Sequence, residues 1–104
     1  MNILERKDLQ GAKLQGAELI EAKLEGANLM GANFLGANLK EANFKEANLK
    51  EANLKEANLE GAHHLSLNQF SKVKTLHSAK LDKKFLLQLK EKYPAIFEVP
   101  YYNE

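Results

Sequence analysis

Every fifth residue from Leu4 to Leu59 is Leu or Phe, and from Ala12 to Ala62 an alanine recurs at the same period. The unit reads Ala-(Asn/Lys/Glu)-(Leu/Phe)-x-(Gly/Glu), as in Ala27-Asn28-Leu29-Met30-Gly31. A period of five excludes the two simplest elements. Ala, Glu, Leu and Lys are good helix formers, but an α-helix turns about 100° per residue. A step of five therefore advances about 140° net, and the leucines form no stripe to bury. In a straight strand side chains alternate, so Ala12 and Leu14 share a face while Leu19 points the other way. Parity returns only if the chain bends once per unit. Four bends close a square coil of about 20 residues, and stacked coils pair as parallel strands roughly 4.8 Å apart.

Residues 20 apart then stack, and the outward residues agree with that register. Asn28 meets Asn48, Asn33 meets Asn53, and Asn38 meets Asn58, a pattern suited to side-chain hydrogen-bond ladders. Lys40 falls beside Glu60 and Lys45 beside Glu25, while Gly26, Gly31 and Gly36 fall beside Glu46, Glu51 and Glu56. Glu21 beside Glu41 is the one conflict. The expected core is Leu14, Leu19, Leu24, Leu29, Phe34, Leu39, Phe44, Leu49, Leu54 and Leu59. The recurrent glycines read as corner residues.

These units resemble the pentapeptide-repeat family over roughly residues 2–66. The resemblance implies an all-β solenoid, a right-handed quadrilateral β-helix with the central Leu/Phe and the Ala both inward. Asn2 and Lys7 depart from the pattern by standing where Ala belongs, so the first coil is expected to be irregular or open to water. A polar residue at a sheet edge also discourages edge-to-edge association.

The 104 residues make one domain. Residues 1–65 are read as the β-helix of about three coils, 13 units with the last degenerate, and 66–104 as a helical cap and tail of the same domain. So short a stack needs capping. Ser66 and Gln69 form a capping-box pair, with Leu65 and Phe70 at staple spacing, which predicts a short helix from about Leu67 to Val73. Asp82 is a second N-cap candidate, and Leu81 and Leu86 repeat the staple spacing. Phe85, Leu86, Leu89 and Tyr93 share one side of the helix that follows, which Lys90 and Lys92 suit at its C-terminus and Pro94 ends. Ala79-Lys80-Leu81 reads as one further degenerate unit. This tail resembles those of small, largely cyanobacterial pentapeptide proteins.

The chain is poor in chemistry. It has no Cys, no signal-like apolar run after Met1, no stretch to span a membrane, and a net charge of +1. The repeats to Gly61 carry eight basic and ten acidic residues, the remainder seven and four, so neither part is a one-signed field for nucleic acid or a membrane surface. His63 is expected to extend the Asn43 ladder and His64 to take a central slot, and metal ligation would need convergence with His77. Ser66, Ser71 and Ser78 have no Asp/His partner at a suggestive spacing. No catalytic residue, cofactor or metal site is expected.

Three outward positions are apolar where their equivalents are polar: Ile20, Met30 and Leu35. Met30 and Leu35 fall on adjoining walls and form a candidate protein-interaction surface. The apolar C-terminal run of Ile96, Phe97, Val99, Tyr101 and Tyr102 must also pack, on the cap helix, on a solenoid wall, or on another subunit. The expected function is a non-catalytic interaction or scaffold module for an unknown protein partner, cytoplasmic, with a monomer favoured over a dimer. The family resemblance supplies the alternative. Some members mimic DNA, bind DNA gyrase and protect it from quinolones. A stack of about 15 Å without an acidic face disfavours that role.

Overall fold

The computed structural model describes residues 7–99. From Asp8 onward it is a four-sided coil. Parallel bridges join Asp8 to Asn28 and Asn28 to Asn48 on one wall, and Lys13, Asn33, Asn53 and Thr75 in succession on the next. The third wall runs Glu18, Asn38, Asn58, Lys80, and the fourth Lys23, Asn43, His63. Each bridge residue stands alone between two bends, so no long strand forms.

Each unit from Lys7 to Glu41 makes the same three bonds to the level above. The Leu9 N–H donates to Asn28 O at 2.8 Å, the Gly11 N–H to Met30 O at 2.9 Å, and Lys7 O accepts from the Asn28 N–H at 2.9 Å. Within the bend, the Ala12 N–H returns to Leu9 O at 2.9 Å. The third residue of each such turn has positive φ, the signature of type II. Gly11, Gly16, Gly26, Gly31, Gly36 and Gly61 hold that corner at φ 65–71°, and Glu21, Glu41, Glu46, Glu51 and Glu56 hold it at φ 59–63°. At Gly61 a Cβ would come within 3.0 Å of Glu41 Cγ, so a side chain there would require the Glu41 side chain to move.

The asparagines turn the chain more than they ladder it. Asn28, Asn33, Asn38, Asn43, Asn48, Asn53 and Asn58 each accept, through Oδ1, the N–H two residues on, at 3.0–3.2 Å. Where the amide nitrogen donates, it goes to Asp8, Gln10, Glu18 or Glu25 rather than to another Asn. The side-chain oxygen serves a local Asx turn because that N–H is two residues away at every bend.

The core follows the repeat. Leu24, Leu29, Phe34, Leu39, Phe44, Leu49, Leu54 and Leu59 are buried with the alanines from Ala27 to Ala57. Leu14 and Leu19 face the same core but stay half-buried in the first coil. Lys7, in an alanine slot, is also half-exposed. Asn2, the other departure from the pattern, lies outside the described residues.

After His63 the path changes. His64, expected in a central slot, is exposed at φ 61°. A centre there would bury an imidazole among leucines without a partner, and the chain turns out instead. The helix expected to Val73 is a 3₁₀ turn, Leu67–Phe70. It ends early because the coil resumes: Val73 is buried, Lys72 O accepts from the Glu51 N–H, and the Lys74 N–H donates to Ala52 O. Thr75 and Lys80 then sit 22 residues after their partners, two more than in the repeats. Helix α1, Lys83–Lys92, follows with Asp82 at its N-cap. It buries Leu89 and packs Phe85, Leu86 and Tyr93 on the core. A second 3₁₀ turn, Pro94–Phe97, brings Ile96 and Phe97 against both the helix and the end of the solenoid.

Candidate functional site

The interior offers no chemistry, so any site lies on the walls or at the end of the stack. Ile20 is 53% exposed on the third wall. Met30 and Leu35 are half-buried on the first and second walls. Ile20 lies one level lower on the wall that adjoins Leu35's, while Met30 and Leu35 share a level and flank one corner formed by Gly31 and Ala32. Both face outward between polar levels, with Gln10 below Met30 and Lys50 above it. Two further apolar residues are exposed: Leu87 at 57% on the outer side of α1, and Val99 at 70%, expected to pack with Ile96 and Phe97.

The histidines are separated. His63 and His64 have ring centroids 6.5 Å apart at the end of the fourth wall. His77 lies on the opposite wall, its Nδ1 3.2 Å from Phe97 O. Among the described residues no group of three His, Asp or Glu is placed to hold a metal ion, and no helix is long and apolar enough to cross a membrane.

At the end of the stack, side chains replace missing coil. The Gly61 N–H, whose equivalents donate to a carbonyl above, donates to both oxygens of Asp82 at 3.1 and 3.2 Å. The N-cap residue thus spends its carboxylate on the solenoid. Gln69 accepts the Ser66 N–H through Oε1 at 2.8 Å, and through Nε2 donates to Phe44 O at 2.7 Å and Ala47 O at 3.1 Å. Ile96 O takes the Leu76 N–H at 2.7 Å. Thr75, buried, takes the place of an Asn, its Oγ1 accepting the His77 N–H at 2.9 Å. Where Leu67–Phe70 displaces the first wall, a cleft of about 230 Å³ opens beside Asn48, Leu49, Lys50, Asn68, Ser71 and Lys72. Sequence reasoning missed it, since it arises from a single interruption of the period.

The family model for pentapeptide repeats, in eight copies, matches residues 8–45 and 27–63, overlapping stretches that span more than half of the chain. This chain belongs to the pentapeptide-repeat family. No curated protein sequence matches it. Among solved structures, this pentapeptide-repeat protein is similar to a trypsin-treated point variant of QnrB1, described as a plasmid-mediated fluoroquinolone resistance protein. The TM-score is 0.62 at 23% identity, over 88% of this chain and 43% of that one. Full-length QnrB1 gives 0.62 at 24% identity, over 82% and 39%. The match shows the fold, a right-handed quadrilateral β-helix, and the chain spans less than half the length of the QnrB1 chains.

Proposed function

We propose that this pentapeptide-repeat protein is a non-catalytic interaction or scaffold module, acting in the cytoplasm on a protein partner through its outer surface. The filled axis of the coil carries this reading. From Leu29 to Leu59 the central side chains are 0–1% exposed, so the interior holds no substrate and function falls to the walls. We read the solenoid as about three coils, closed by residues 66–104 as a helical cap of the same domain. The burial of Phe70 and Leu89 in one core with the repeats supports that.

Met30 and Leu35, with Ile20 on the next wall, are the proposed contact surface. The test is capture of partners from lysate with the intact chain and with Met30→Glu/Leu35→Glu. A partner held by the first and lost by the second is the expected outcome. Identical captures would refute the assignment to these two residues.

The likeness to QnrB1 favours a second reading, a binder of DNA gyrase that counters fluoroquinolones. A supercoiling assay with and without a quinolone decides it, and an inert chain removes the reading.

A further inference from the structure

The cleft on the first wall contains an uncompensated donor. Central N–H groups point to the level above, as Leu9 does to Asn28 O and Leu29 to Asn48 O. At the end of the stack the molecule recruits substitutes for the missing carbonyls: Ile96 O for Leu76 and the Asp82 carboxylate for Gly61. On the first wall, Lys72 O receives the Glu51 N–H and Gln69 Nε2 serves Ala47 O. Among the described residues nothing receives the N–H of Glu46 or of Leu49. Glu46 is exposed, so water can serve it. Leu49 is 1% exposed and lines the cleft. A buried N–H without an acceptor is rare and costly.

The rest of the lining selects the missing acceptor. Asn48 spends its Oδ1 on the Lys50 N–H, which leaves its amide nitrogen as a donor. The Ser71 hydroxyl donates to Asn68 O. Lys50 and Lys72 flank the opening, and no Asp or Glu lines it among the described residues. At about 230 Å³ the cleft exceeds the roughly 15 Å³ that one water needs. With the Leu49 N–H, the Asn48 and Asn68 amides and two lysines on its lining, the site favours an anionic acceptor, since charge-assisted bonds are the stronger ones. Asp82 on Gly61 shows that a carboxylate can take an upward corner N–H of this fold.

We propose that the cleft is a binding site for a carboxylate carried by a partner protein, seated on the Leu49 N–H between Lys50 and Lys72. It rests on the interaction-module reading and specifies the chemistry of the partner's contact: an Asp or Glu side chain, or a chain-terminal carboxylate.

The test is a titration of the ¹⁵N-labelled chain with sodium acetate against a sodium chloride control. Two N-acetylated peptides follow, one with an amidated C-terminus whose only carboxylate is a Glu side chain and one whose only carboxylate is its free C-terminus. The expected result is a saturable downfield shift of the Leu49 amide proton with acetate and with at least one peptide. The peptide that binds more tightly identifies the source. Lys50→Ala/Lys72→Ala should keep the parent melting temperature and weaken binding by about tenfold. A Leu49 signal that moves no further than in chloride overturns the proposal, as does undiminished binding by the double variant. Because acetate reads the site directly, a failed capture through Met30 and Leu35 leaves this result standing. A flat Leu49 response sinks only this site.

Discussion

The middle coil, Ala27 to Glu46, and the end of the stack, Gly61 to Phe97, make the same kinds of backbone bond by opposite means. In the middle, each type of donor finds a backbone carbonyl at a fixed offset, up a level for the central and corner N–H, down a level for Asn and within the turn for Ala. One solution is thus repeated in every unit up to Glu41. At the end, each partner is found separately: a carboxylate from Asp82, an amide from Gln69, a hydroxyl from Thr75, a carbonyl from Ile96. Repetition makes the middle cooperative, so damage there spreads to neighbouring levels. The end is built of single devices, each of which can fail alone.

The severest way to break the contrast is a charge in the middle. Leu39→Asp buries a carboxylate with no partner among fully buried neighbours. It should cost more than about 4 kcal/mol and abolish the cooperative thermal transition seen by circular dichroism. At the end, Gln69→Ala removes one side chain that serves Ser66, Phe44 and Ala47. Its loss should cost about 2–3 kcal/mol in urea unfolding, with the transition still single and cooperative. A cost as large as that of Leu39→Asp would erase the distinction between the regions. Gly31→Ala tests a corner alone. A Cβ there meets nothing within 4 Å, but φ is +70°, so about 1 kcal/mol of backbone strain is the whole effect. Smallest is Lys45→Ala on the exposed surface, expected to change stability by less than about 0.5 kcal/mol in the same assay.

The period made the middle legible. Residues 24 to 59 bury where the spacing of five places them, because five residues per bend is a geometric constraint that composition cannot override. The register of 20 was readable for the same reason. Helix α1 was legible from Phe85, Leu86, Leu89 and Tyr93, and Asp82 was placed correctly at its N-cap. The use of its carboxylate was not, since Gly61 is 21 residues away and only the closing of the coil brings the two together. Local chemistry also misled. Ser66 and Gln69 announced a helix, but a 3₁₀ turn sufficed before Val73 had to re-enter the core. Thr75 in an Asn slot, the Pro94–Phe97 turn and the cleft beside Leu49 depend on long-range closure that no local pattern records. Of the candidate surface, Met30 and Leu35 were found as departures from the repeat, whereas their half-burial came from the levels above and below.

The two-residue offset that carries Thr75 and Lys80 onto Asn53 and Asn58 fixes the phase of the tail relative to the repeats. Adding a whole circuit of units in the middle would lengthen the rod and return Ile96, Gln69 and Asp82 to the same sides. Adding a single unit between Glu51 and Leu59 would rotate the tail by a quarter turn about the axis relative to Phe44, Ala47 and Leu49. It would then face walls carrying different side chains, with the cleft between Lys50 and Lys72 dismantled. Between the unit of Leu49 and the tail, length can therefore change only in steps of one full revolution if the end is to be preserved.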